Sequence, residues 1–201
     1  MKTKRAHDLA YPVGVLRGGD VYMEIGAHEG KFLDKSKLLN AKNTYHLFEP
    51  LPEMARKLRE KYRRHESVHV HELAVGPDNG KQAFYRTSSL VGSTMFGDGD
   101  EMEVQTITLA RAIEWYGNGP EHRVRFLAIN AECAEYHFLP GVDLRSVDYI
   151  TIEFHPGKSK IDTKCWIERY LDHRFETIGF WRDGQPYNVW LGKNRALWEE
   201  E

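Results

Sequence analysis

A chain of 201 residues with 28 Lys and Arg against 30 Asp and Glu carries a formal charge of −2, which argues against a surface built to hold nucleic acid by phosphate neutralisation alone. Two cysteines, Cys133 and Cys165, give neither a disulfide framework nor a zinc pattern, so free thiols and a reducing cytoplasmic setting are expected, with no metal. The basic N-terminus leads into no apolar run of signal or membrane-spanning length, and the expectation is a protein with no membrane association. The length suits a single domain over 20–201 preceded by an arm over 1–19.

In the arm, Tyr11-Pro12 and Gly18-Gly19 are breakers, and an irregular segment or short helix is expected. The stretch Asp20 to Gly30 organises the rest of the chain. Val21, Met23 and Ile25 read as a buried strand, and Gly26 and Gly30 bracket a turn into a helix over 28–40 with Phe32, Leu33, Leu38 and Leu39 on one side. Such a turn lets backbone approach a ligand closely, and Glu24 beside it can reach a hydroxyl or an ammonium.

Thr44 to Phe48 reads as a second strand ended by Glu49-Pro50. The proline holds Glu49 at the strand's C-terminal tip, about 20 residues beyond the glycine turn, where a carboxylate can accept from ribose hydroxyls or else cap the next helix. The helix over 51–65 places Met54, Leu58 and Tyr62 on one side among six basic residues, which are read as a solvated face. His69 and His71, alternating with Val68 and Val70 in a third strand over 67–74, face one side. Bonds to neighbouring backbone are the favoured reading over a metal, since no third ligand accompanies them.

Pro77 to Gly80 marks a turn into a returning strand over 81–86, and the loop from Ser88 to Asp100 is placed to cover a site. An extended segment over 104–109 and a helix over 110–116 come next. Val124 to Ile129 and Val147 to Phe154 read as the fourth and fifth strands, with a helix to Leu139 between them. Their tips carry Asn130 with Glu132, and Glu153 with His155-Pro156-Gly157. A helix over 161–173 leads to two strands, 175–181 and 187–191, around Arg182-Asp183-Gly184-Gln185, read as an antiparallel hairpin closing the sheet.

These blocks, in this order, resemble the FkbM family of S-adenosylmethionine-dependent methyltransferases from about Asp20 to His155. Val-Tyr-Met-Glu-Ile-Gly-Ala-His-Glu-Gly is similar to the family's glycine motif, and His-Leu-Phe-Glu-Pro to its acidic strand end. Glu72 to Gly76 with Asn79-Gly80 and Phe84-Tyr85 resembles its third-strand block. Val104 to Tyr116 is similar to its helix entry, with Ala110 at an aspartate position. Ala128 to Glu135 is similar to its Lys-Ile-Asp-Val-Glu-Gly-Ala-Glu block, with Ala128, Asn130 and Cys133 at the lysine, aspartate and glycine positions.

The resemblance implies an α/β, Rossmann-like class I methyltransferase: a mostly parallel seven-stranded sheet, helices on both faces and the antiparallel C-terminal hairpin. It implies S-adenosyl-L-methionine as cofactor, held by Glu24, Gly26, Ala27 and Gly30 at its methionine end, by Glu49 and Pro50 at the ribose, by Glu72 and Leu73 at the adenine edge, and bordered by Asn130. The implied reaction is in-line methyl transfer to an oxygen of a small-molecule or sugar-type acceptor. On that side stand Asn130, Glu132, Glu153 and His155, with His155 or Glu132 as base. Asn130 lacks the charge to act as a base itself, so a catalytically silent cofactor-binding module is the alternative. A nicotinamide dehydrogenase is disfavoured by the glycine spacing and the terminal hairpin.

Overall fold

A computed structural model describes residues 1–87, 93–95, 99–155, 161–181 and 188–198. The Arg182-Asp183-Gly184-Gln185 turn, Pro156-Gly157 and most of the Ser88 to Asp100 loop lie outside the described residues. The chain runs β1 (Thr3–Ala6), β2 (Leu9–Pro12), β3 (Val21–Ile25), α1 (Lys31–Ser36), β4 (Thr44–Phe48), α2 (Pro52–Tyr62), β5 (Val68–His71), β6 (Ala74–Gly76), β7 (Gly80–Arg86), β8 (Asp100–Thr108), α3 (Leu109–Tyr116), β9 (Val124–Ile129), α4 (Glu135–Phe138), β10 (Val147–Phe154), α5 (Thr163–Tyr170), β11 (Phe175–Trp181) and β12 (Asn188–Asn194).

Seven strands form one sheet in the order β11-β12-β10-β9-β3-β4-β5. Pairing is parallel from β10 through β5, and β12 lies antiparallel to both β10 and β11, so the expected mostly parallel sheet and closing hairpin are present. The chain winds outward from β3 to β5 and then returns to β9 on the other side. That reversal opens a crevice beyond the carboxyl ends of the strands, where ligands settle in open α/β sheets.

Strand periodicity divides the core into two layers. Met23, Ile25, Leu127, Ile129, Ile150 and Ile152 face one side, with Ile113 of α3, Phe138 of α4 and Trp166 of α5. Tyr22, Tyr45, Leu47, Phe126 and Ala128 face the other, with Phe32 of α1 and Leu58 and Tyr62 of α2. Both faces are thereby covered by helices. A smaller sheet, β6-β8-β7, flanks the main one and encloses Phe84, Met95 and Val104 with Met54 of α2. Among the described residues no helix is long and apolar enough to cross a membrane.

Three local expectations are corrected. Residues 1–19 are neither irregular nor helical at their start: β1 and β2 form an antiparallel hairpin, with Leu9, Ala10 and Tyr11 buried against the α1–α2 face. The helix after the glycine turn is shorter than its apolar pattern, because Lys37 takes a left-handed conformation (φ 57°) and ends it. His71 bonds a ring rather than backbone: its Nε2 lies 2.9 Å from His46 Nδ1, and His46 stacks on both His69 and His71. Burial, and next the neighbouring imidazoles, lower the pKa of His46 to about 3 and that of His71 to about 4, so these two rings are neutral near pH 7. Among the described residues no cluster could hold a metal ion.

Candidate functional site

The crevice widens into a cavity of about 580 Å³ at the carboxyl ends of β3, β4, β9 and β10, within the size range of small-molecule and cofactor sites. Its floor begins at the turn after β3. The amides of Gly26 and Ala27 both donate to the Phe48 carbonyl at 3.0 Å, and the Asn130 amide donates to the Ile25 carbonyl at 2.9 Å, which ties the tips of β3, β4 and β9 together. Gly26 has φ 76°, and a Cβ there would lie 1.9 Å from the Asn130 carbonyl oxygen. The protein's own backbone therefore makes the close approach that requires this glycine. At Gly30 (φ 70°) a Cβ would meet the Tyr62 hydroxyl at 2.6 Å.

Two carboxyls enter the cavity from neighbouring strands. Glu24, on β3, accepts from the Tyr22 hydroxyl at 2.5 Å. Burial pushes its pKa up to about 8, with the tyrosine bond opposing in part. Glu49, at the tip of β4, accepts from the amides of His28 (2.8 Å) and Leu51 (2.9 Å), one on each oxygen. Burial raises it to about 7 against those bonds. Glu49 thus braces the glycine turn and the start of α2, and it still lines the cavity. A carboxylate oxygen has two lone pairs, so each retains capacity for a ligand hydroxyl.

Apolar groups make the wall beyond Glu49. Leu73 comes from the β5–β6 link, Ala74 and Val75 from β6, Phe84 from β7 and Met95 from the connection between β7 and β8, and Phe48 at the end of β4 also lines the cavity. This slot suits a flat aromatic ring. Glu72 points elsewhere: its side chain is exposed and bonds Arg59 at 2.9 Å, leaving Leu73 as the lining member of that pair. Gly30 likewise falls outside the lining, whereas Pro50 and Ala27 belong to it.

The far end is formed by the tips of β9 and β10. The Asn130 side-chain amide donates to Glu153 Oε2, while the Asn130 Oδ1 is buried without a hydrogen-bond partner among the described residues. Burial raises Glu153 to about 8, opposed by His155 and reinforced by Asp8, Glu132 and Glu135. His155 Nε2 lies 3.5 Å from Glu132, and its Nδ1 lies 3.7 Å from Glu135. Burial works against charging this imidazole, but Glu135, Glu132 and Glu153 outweigh it and hold the pKa above its ordinary value. Glu132 and Cys133 both have positive φ, 51° and 81°. Left-handed backbone at two successive non-glycine residues is costly and persists where surrounding structure enforces it.

Sequence reasoning assigned no role to several lining residues. His28, inside the glycine turn, lines the cavity, and its buried Nε2 has no hydrogen-bond partner among the described residues. Its place in the motif was the available signal. His7, Asp8 and Leu9 at the tip of the N-terminal hairpin also line it, and of these Asp8 alone is a common turn residue, with no glycine beside it.

Comparison with known proteins bears on the family and on the fold. Residues 24–183 match the family described as Methyltransferase FkbM domain. No curated protein matches the chain. Among solved structures, the Methanococcus jannaschii fibrillarin pre-rRNA processing protein superposes with a TM-score of 0.53 at 12% identity, over 89% of this chain and 67% of that one. A putative rRNA methylase from Clostridium thermocellum gives 0.55 at 8% identity, over 89% and 88%. A putative methyltransferase from Streptococcus mutans, solved in complex with SAH, gives 0.51 at 12%, over 90% and 91%. At such identities these structures speak to fold alone.

Proposed function

The chain belongs to the FkbM family of S-adenosylmethionine-dependent methyltransferases, and we propose that its cavity seats the cofactor across β3 and β4 and methylates an oxygen of a small-molecule or sugar-type acceptor at the tips of β9 and β10. The observation that carries this reading is the meeting of Glu24 and Glu49, from neighbouring strands, in one cavity.

The residues fit the cofactor chemically. Glu24, with Gly26 and Ala27 beside it, faces the end suited to the methionine ammonium. Glu49 is placed for the ribose hydroxyls, and the slot of Leu73, Val75, Phe84 and Met95 for the adenine ring. Burial raises the pKa values of Glu24 and Glu49, and at Glu24 the charge of Lys61 opposes it only in part; a ligand bearing an ammonium and a sulfonium would add to that offset.

When bound, S-adenosylmethionine supplies an electrophilic methyl group on sulfur with a neutral thioether as its leaving group. The chain's own residues then have three tasks: to align the acceptor oxygen with the carbon–sulfur bond, to exclude water, and to take the proton released as the carbon–oxygen bond forms. His155 is the base best placed for the last, because Glu132 and Glu135 flank it and stabilise the imidazolium. Asn130 orients Glu153 through its amide and does not take the proton.

The test is incubation of the full chain with methyl-labelled S-adenosylmethionine and a panel of sugar and small hydroxyl acceptors. Label transfer that falls in Glu49→Ala and His155→Gln supports the reading. Cofactor binding without transfer to any acceptor favours the silent module.

A further inference from the structure

A turn from a strand into a helix ordinarily holds an anion through its backbone amides. Over most of the turn after β3 that route is closed. The amides of Gly26 and Ala27 both donate to the Phe48 carbonyl, that of His28 donates to Glu49 Oε2 at 2.8 Å, and that of Gly30 donates to the Ala27 carbonyl at 2.7 Å. These four donors knit the turn to β4 and to itself, and none of them is left for a ligand.

The methionine end of the cofactor carries a carboxylate on the same carbon as the ammonium that Glu24 faces. Leaving that carboxylate in the cavity without donors would be costly, so side chains near the turn must take it. The Asn130 side-chain amide is engaged by Glu153, and Lys31 is tied to Glu29 at 3.0 Å. His28 differs from both. It lines the cavity, and its buried Nε2 has no hydrogen-bond partner among the described residues. Its backbone is left-handed, with φ 48°, a conformation that histidine tolerates better than most side chains.

The surroundings of the ring suit a negative ligand. Burial lowers the pKa of His28, Glu29 opposes, and the charges of Lys31, Lys57 and His7 add to the lowering. The imidazole is therefore neutral near pH 7 and can carry its one proton on Nε2. A positive field that disfavours an imidazolium favours a carboxylate at the same place.

We propose that His28 donates its Nε2–H to the carboxylate of bound S-adenosylmethionine in place of the occupied amides of the turn, with Lys31 adding positive charge at the same end. This rests on the reading that the cavity seats the cofactor with its amino-acid end at Glu24.

The experiment measures, by calorimetry on the full chain, the affinities of S-adenosylhomocysteine and of its decarboxylated analogue, which keeps the amine and loses only the carboxylate. The wild type should prefer S-adenosylhomocysteine about tenfold, as one hydrogen bond to a charged group contributes. His28→Asn keeps a residue suited to left-handed backbone, but its amide is too short to reach the position of Nε2, and the preference should fall to near one. His28→Gln places an amide donor at that position and should retain most of the preference. Equal binding of the two probes by wild type, an undiminished preference in His28→Asn, or a preference lost alike in both variants overturns the proposal. Glu49→Ala separates the two levels. If neither probe binds, or if Glu49→Ala leaves their binding unchanged, the cavity is not the cofactor's and the proposal falls with that reading. Binding that depends on Glu49 without a carboxylate preference defeats the assignment of His28 alone.

Discussion

The side-chain amide of Asn130, at the tip of β9, donates a hydrogen bond to the buried carboxyl of Glu153 on β10. Where the family resemblance places an aspartate, this chain has a donor that satisfies a neighbouring acid. An aspartate there would set two carboxylates against each other in a dry site, and one proton would be shared between them.

Asn130→Asp is therefore expected to leave thermal stability near wild type at pH 5.5, where the pair can hold protons, and to lower the melting temperature progressively more than wild type between pH 7 and 9. A melting series across that range checks this. A parallel offset at every pH would mean that the amide contributes no more than packing.

The raised carboxyls also set the pH response of the ligand-free protein. Glu24 and Glu153 titrate near 8 and Glu49 near 7 when folded, against about 4.5 in the unfolded chain. The folded state binds more protons between those limits, so the stability these groups confer is complete below about pH 4.5 and is lost as pH rises through 7 to 8. S-adenosylmethionine, being cationic, should bind more tightly as pH rises from 6 to 8.5 with net proton release. S-adenosylhomocysteine, lacking the sulfonium, should show a weaker trend. Calorimetry in buffers of different ionisation enthalpy measures the protons directly.

The histidine stack responds in the opposite sense. His46 and His71 have folded pKa values depressed to about 3 and 4. Their contribution is present above the unfolded value near 6.5 and is lost as pH falls through the folded values. His46→Phe should keep the stacking area and reduce the destabilisation seen between pH 6.5 and 4. A melting curve series that is unchanged in that window would contradict it.

Gly26→Ala is expected to cost about 3 kcal/mol or more, since a methyl group at φ 76° would collide with the Asn130 carbonyl, and backbone at three strand tips would have to move. Denaturant unfolding reads the loss. A variant as stable as wild type would show that the tips are not rigidly joined.

Much of the site was written locally in the sequence. Breakers mark the strand tips: Pro50 after Glu49 and the glycines after Glu24 fixed both residues at the ends of β4 and β3, where they line one cavity. The hairpin at residues 3–12 was hidden because its turn, His7-Asp8, lacks a glycine, and its conformation is imposed by tertiary packing of Leu9, Ala10 and Tyr11. Glu72 was assigned through the family resemblance alone; it lies in the break between β5 and β6, where its exposed side chain pairs with Arg59, and such a cross-element contact is not legible in local sequence. His46 escaped notice since its partners lie on another strand, and only the parallel register of β4 and β5 brings the three rings together.

The central claim is that the hollow above β3 and β4 receives the cofactor with Glu49 on its ribose. A crystal structure with S-adenosylhomocysteine tests it most directly. The ribose hydroxyls should lie within hydrogen-bonding distance of Glu49, the amino group near Glu24, and the sulfur facing Asn130 and His155. A ligand bound elsewhere, or one seated in the hollow with Glu49 engaged by His28 and Leu51 alone, would contradict it.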